Sequence, residues 1–450
     1  MKYRSAAMLA VFGTTTMLSI AGCDDDVPPA DATESTSTGA ETDDGVEPAF
    51  FTPAERDTIL TWLGPLPATP PPDPSNAYAD DPSAAALGQA LFYDTRVSAN
   101  GSVSCATCHD SASGYSDNRS NTSEGMGVTH RSSISILNGA YGAAGEEAQI
   151  WQFWDGRLDS QWAQALRPVE DSLEMGGSRS SVALLLFDQY REPYEAVFGL
   201  MPTLRANDGT PLVPAGVMPG DGVWETLPQS DQDAVNEVFV RFGKVIEAYE
   251  RQLVSRNSRF DQMWQELADG AADSDALTDL EKEGLRVFID QGRCLGCHSG
   301  PNFTDGQFHN IAVAQVGDNI PQSDLGRASG LQSLLVDEFN CAGPWSDHPN
   351  KAECAVSRLA DAEGEIGAFK TPSLRSVNLT PPYMHTGQFD TLDQVIAHYD
   401  LGGGPPGSFD GVRDELMRPL GLDLPQRTAL VAFLATLEGE PLDPALNSAP

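Results

Sequence analysis

Cys105-Ala-Thr-Cys108-His109 and Cys294-Leu-Gly-Cys297-His298 place two thiols and an imidazole at the same spacing twice in a chain of 450 residues. In a Cys-x-x-Cys-His unit both thiols reach the two vinyl groups of one haem, and the adjacent histidine meets the iron from the proximal side. Zinc would want the two units pooled into one tetrahedral site, and a thioredoxin-like redox pair belongs in a strand-helix unit that is not evident here. Two covalent c-type haems are therefore expected, held through Cys105, Cys108, Cys294 and Cys297, with His109 and His298 as iron ligands. That expectation constrains the fold, because helices must wall each haem and the haem supplies much of each core.

The flanks repeat as well. "LGQALFYD" and "GLRVFIDQG" each bring an amphipathic helix ahead of the motif, and "GYSDN" and "NFTDG" follow the histidines at nearly equal distances. Thr278 with Glu281 forms a capping box before the second helix, and Gly292 can end it. Pro- and Gly-rich stretches such as "MPTLRANDGTPLVPAGVMPGDG" read as loops. The predicted fold is mainly α: two c-type cytochrome domains, each around a covalently bound haem, with long loops and few strands. The boundaries drawn from composition and motif position are residues 51–265 and 266–450.

Ahead of these domains, Lys2 and Arg4, a short apolar run and the small residues before Cys23 read as a signal peptide over residues 1–23. Its ending is that of a lipoprotein, which makes Cys23 the expected lipid attachment point and the lipid the only tie to a membrane. Residues 24–50 form an acidic tether without a basic residue. The formal net charge is −38, with the acidic excess continuing into the folded part, which argues against nucleic acid and suits a basic protein partner. Of the seven cysteines, Cys341 and Cys354 remain, and an exported chain would pair them in a disulfide.

With the stretches "FWDGRLDSQWAQALRPVEDSLEMGG", "ILNGAY" and "GAFKTPSLRSVNLTPPYMHTGQFDTLDQVIAHY", residues 53–437 resemble the bacterial dihaem cytochrome c peroxidase and MauG family. The resemblance implies that peroxide meets the N-terminal haem and that the C-terminal haem stores or relays electrons. It places Trp154 between the haems, Glu174 as the distal acid, and Gln164 and Pro168 in the same distal pocket. It also puts Asn138, Thr380 and Pro382 at a calcium ion, a hard cation served by oxygen ligands. Judged on the residues alone, Glu174 would be a surface acid and Trp154 a core aromatic.

The sixth ligands depart from the ordinary peroxidase pattern. Thr391 and Gln394 form a capping box, and Leu392, Val395, Ile396 and Tyr399 share one helical face, so Tyr399 points inward with His398 about 100° away. Tyr399 occupies the position at which peroxidases of this family carry methionine and MauG an iron-bound tyrosine; Met384 is the alternative ligand. His130 lies near the position of a histidine that blocks the peroxide site in resting peroxidases, or is an exposed loop residue. His385 falls close to the C-terminal haem, and Lys370 and Arg375 are candidates to pair with haem propionates.

The expected activity is reduction of hydrogen peroxide, with electrons relayed from a small cytochrome or copper protein, on the periplasmic side of a bacterial membrane. One alternative, resembling MauG, oxidises a protein or other substrate; another is a dihaem cytochrome that only transfers electrons.

Overall fold

The computed structural model describes residues 49–119, 122–145, 147, 150–359 and 365–450. The signal peptide and nearly all of the acidic tether lie outside the described residues. The chain runs through α1 (Pro53–Trp62), α2 (Pro82–Phe92), the single turn α3 (Cys105–Cys108), α4 (Gln161–Glu170), α5 (Arg179–Gln189), α6 (Arg191–Phe198) and α7 (Gln229–Glu250). It continues through α8 (Arg259–Ala268), α9 (Asp279–Ile289), α10 (Arg327–Val336), α11 (Leu392–Asp400) and α12 (Leu424–Ala435). Among the described residues one small sheet forms, Phe308–His309 pairing antiparallel with Phe369–Lys370, so the expected scarcity of strands holds.

Local signals set the helix ends. Thr278 and Glu281 close their capping box at the start of α9, and Thr391 and Gln394 do the same for α11. After α9 the Gly292 N–H bonds the Val287 carbonyl at 2.7 Å, closing the helix end as its sequence suggested.

Among the described residues two large apolar cores form, with a smaller cluster of Leu331, Leu334 and Val356 beside the disulfide. In the first, α2, α4 and α5 pack on the long α7; Trp162, Phe92, Phe239 and Phe242 are fully buried there. In the second, α9 packs on α12 and takes in Leu392 and Ile396 of α11. Ile59 of α1 and Phe260 and Met263 of α8 are also buried in this second cluster. Residues before 265 thus complete the C-terminal core: α1 packs on α8 and α9, and Phe260 of α8 meets Phe303 and, in α12, Phe433.

The two cores repeat one contact. A Cβ on Gly88 of α2 would stand 1.8 Å from the Val245 carbonyl oxygen of α7, and one on Gly284 of α9 would stand 2.0 Å from that of Ala429 in α12. Glycine lets each helix pair touch backbone to backbone, and Phe92 and Phe288, four residues on, fill the space beside the crossings.

The disulfide is present, joining Cys341 and Cys354 with Cα atoms 5.7 Å apart. Among the described residues no helix is long and apolar enough to cross a membrane.

Candidate active site

Each Cys-x-x-Cys-His unit makes one helical turn, which throws its histidine back over the cysteines: the His109 N–H bonds the Cys105 carbonyl at 3.0 Å, and His298 bonds Cys294 at 2.8 Å. The rings are then oriented by backbone. His109 Nδ1 lies 3.1 Å from the Tyr115 carbonyl oxygen, and His298 Nδ1 lies 2.9 Å from that of Phe303. Tyr115 and Phe303 both adopt left-handed backbone, with φ of 59° and 51°, within the repeated "GYSDN" and "NFTDG" segments. A carbonyl can only accept, so each Nδ1 carries the proton and each Nε2 keeps a lone pair for iron. Burial also lowers both histidines below their ordinary range and keeps them neutral.

The cavities in front of these rings suit two c-type haems. The first, of about 830 Å³, is walled by Cys105, Cys108 and His109; the second, of about 230 Å³, by Cys294, Cys297 and His298. All four cysteines are free, and burial pushes the Cys108 and Cys294 thiols up to about 12.

One face of α4 lines the first cavity with Gln161, Gln164, Ala165 and Pro168, the i, i+3, i+4, i+7 set of a helix. Glu174 joins them from the turn after α4. Its carbonyl accepts the Met126 N–H at 2.8 Å, and Leu173 accepts that of Gly127 at 2.9 Å, so the 124–128 turn clasps the segment. Gly125 permits this approach: a Cβ there would stand 2.1 Å from the Glu174 carbonyl oxygen. Burial pushes the Glu174 carboxyl up to about 7, against the opposing positive charge of Arg157, while Asp171 adds to the rise. A carboxyl poised there at neutral pH can both take and return a proton.

Trp154 lines both cavities, and its indole N–H donates to the Ser132 carbonyl at 2.8 Å. His130 is exposed on the wall of the first cavity, with Nδ1 2.9 Å from the Asn319 carbonyl oxygen.

In the second cavity Tyr399 and Met384 both line the wall that holds His298. Burial first, then the sulfurs of Cys297 and Cys294, push the Tyr399 phenol above its ordinary value. His398 is buried too, its Nε2 donating to the Ile311 carbonyl at 2.9 Å, so α11 is covered on more than its Tyr399 face. His385 is buried, stacks on Phe369 with ring centroids 3.6 Å apart and meets the Gln315 amide at 2.9 Å. Burial, helped by Arg131, pushes it down to about 3, so it stays neutral.

Of the two candidates for propionates, Arg375 is committed elsewhere: Nη1 bonds both Asp261 oxygens at 2.8 and 2.9 Å, and Nη2 bonds the Gly64 carbonyl at 2.6 Å. A buried cation requires a fixed anion, and Asp261 supplies it. Lys370 instead lines both cavities, donates to the Trp151 carbonyl at 2.9 Å and is pushed down to about 8 by burial. Asn138 is buried, its Nδ2 donating to the Ser255 carbonyl at 2.9 Å and its Oδ1 accepting the Ser255 N–H at 2.8 Å. That oxygen keeps a second lone pair. Thr380 and Pro382 line the second cavity, whereas Asn138 lines the first; all three offer neutral oxygens.

Three further groups escaped the sequence reading. Arg157 stands in "FWDGR" beside Trp154 and lines the first cavity. His309 lines the second, clasped by Asp305 at 2.8 Å and Asp414 at 2.7 Å; the Asp305 hydrogen bond leads in pushing it up to about 11. Glu250, of α7, also faces the first cavity, and nothing in its local sequence marks it.

A family model for di-haem cytochrome c peroxidase matches residues 82–269. The chain is 32% identical over 408 residues to the cytochrome-c peroxidase IdrP1 of Denitromonas iodatirespirans, a match covering 87% of this chain and 92% of that protein. It is also 32% identical over 364 residues to the methylamine utilization protein MauG of Methylorubrum extorquens, covering 80% and 79% respectively. Among solved structures, a MauG-like protein associated with microbial copper homeostasis shares the fold with a TM-score of 0.58 at 23% identity, over 86% of this chain and 98% of that one. The diheme peroxidase BthA from Burkholderia thailandensis does so with a TM-score of 0.56 at 20% identity, over 85% and 96%. The chain belongs to the di-haem cytochrome c peroxidase and MauG family and is an oxidoreductase that carries two c-type haems.

Proposed function

We propose that the protein reduces hydrogen peroxide at the His109 site, with electrons that arrive through the His298 site from a small basic redox protein. One observation carries this reading: a half-buried carboxyl, Glu174, pushed up to about 7, lines the cavity that His109, Cys105 and Cys108 wall. Bound there, haem supplies the iron that binds peroxide and passes it electrons. Glu174 takes the proton from the inner peroxide oxygen and returns it to the outer one, which leaves as water. Gln164 and Pro168 shape the space in which the peroxide lies beside that carboxyl. Trp154, on the wall of both cavities, offers an indole to electrons crossing between them. The net charge of −38 favours a basic cytochrome or copper protein as donor.

Tyr399 favours a second reading. A phenol in the second cavity beside Cys294 and Cys297 would, as an iron ligand, stabilise ferric and higher oxidation states and suit MauG-like oxidation of a protein or other substrate. The calcium ion belongs to the same proposal, held by Asn138 and the carbonyls of Thr380 and Pro382, as does lipid attachment at Cys23 on the periplasmic side of the membrane.

Glu174→Gln is expected to lower peroxide turnover by about 10²-fold or more while both haems stay attached. The raised carboxyl is protonated below its midpoint, so the peroxide reaction of the natural protein should slow as pH falls through about 7, and this limb should vanish in the variant. Turnover equal to wild type would remove Glu174 from the mechanism. Tyr399→Phe should alter the ferric absorption spectrum of the C-terminal haem and raise its potential; an unchanged spectrum would leave Met384 as the ligand to test. Protein stripped of calcium by a chelator should lose turnover and regain it with added calcium, and full activity after stripping would exclude the ion.

A further inference from the structure

The peroxide reading leaves a proton deficit. Reduction of H2O2 to two waters consumes two electrons and two protons, and Glu174 moves a proton within the peroxide without adding one. The electrons come from the redox donor. The protons must come from solvent, and the first cavity has a second acid facing it.

Glu250 is 4% exposed and lines that cavity, where its Oε2 accepts from Gln161 Nε2 at 3.1 Å. One turn earlier on the same face of α7 lies Glu247, 1% exposed. Its Oε2 accepts from Asn76 Nδ2 at 3.1 Å, and the Asp73 carboxyl stands close enough to raise it further. Asp73 reaches the surface and is fixed by the Ser75 N–H and hydroxyl, each at 2.7 Å. Two neighbouring carboxyl groups, one of them buried, do not readily ionise together, which suits this pair to hold a proton.

The neighbouring cations are paired with other acids, although Arg251 still draws Glu247 down in part. Arg251 beside Glu247 is bound to Asp80 at 2.6 Å, and Lys244 to Asp347 at 2.8 Å. On the cavity side the Glu250 charge acts on Cys105, which a thioether would make neutral. Burial raises Glu247 well above its ordinary value and pushes Glu250 up to about 8, consistent with both standing protonated at neutral pH.

We propose that Asp73, Glu247 and Glu250 form a proton entry path from the surface to the first cavity. Glu250 gives its proton to the oxygen left after O–O cleavage and is reprotonated from Glu247, which refills from Asp73 and solvent. Gln161 orients the Glu250 carboxyl toward the cavity, a positioning role.

The test uses the full-length holoprotein and its Glu250→Gln and Glu247→Gln variants, with haem content and spectra compared first. Infrared spectra at neutral pH should show a protonated-carboxyl C=O band that each variant loses. Reduced protein is then mixed with peroxide in a stopped-flow cell with a pH-indicator dye. Proton uptake should slow by about tenfold or more in Glu250→Gln and recover when a small carboxylic acid is added to the buffer, a rescue that a purely structural role would not permit. Wild-type uptake rates in Glu250→Gln, with peroxide still consumed, overturn the path alone. A wild-type protein that consumes no peroxide overturns the functional reading and the path with it.

Discussion

The bond from each proximal histidine to a backbone carbonyl fixes the chemistry of the whole protein. A neutral histidine has two tautomers, and only one offers Nε2 to iron. Here the choice is made by the carbonyls of Tyr115 and Phe303, turned toward the rings by left-handed backbone. Those two residues are also part of the cores they border, since Tyr115 and Phe303 are both nearly inaccessible to solvent. Packing therefore holds the backbone angle, the backbone angle holds the ring, and the ring holds the iron.

Duplication extends from that bond to the helix crossings at Gly88 and Gly284, yet the two cavities diverge in the side chains that line them. The first gathers two raised acids and a fixed cation: Glu174, pushed up to about 7, Glu250 against Gln161, and Arg157. The second gathers a phenol, a thioether and a neutral buried histidine, groups that tune an iron rather than exchange protons with a substrate. Trp154 belongs to both walls. One scaffold thus provides two haem sites that differ in the side chains added after the shared attachment turn.

Much of this was legible locally. The haem attachment turns, the capping boxes at Thr278 and Thr391 and the inward face of Tyr399 depend on residues a few positions apart, and each has a periodic or spacing signal. What was illegible depends on long-range partners. Arg375 finds Asp261 across 114 residues, and the pair claims a cation that looked available for a propionate. His398 reads as the outer face of α11 until Ile311 covers it, and α1 reads as part of the N-terminal half until its apolar face meets α9. Glu250 is one acid among 65, and only the placement of α7 against α4 turns it toward the cavity.

Whether the first iron is open in the resting protein tests the account most directly. His130 is engaged with the Asn319 carbonyl in an exposed loop, and the cavity before His109 is lined by Glu174 and Gln164. The measurement is stopped-flow absorption after one equivalent of peroxide is added to fully ferric protein, repeated on the half-reduced form. The account predicts that the ferric protein reacts at once. Reaction of the half-reduced form alone would show that a residue such as His130 blocks the iron until an electron arrives, and would contradict it.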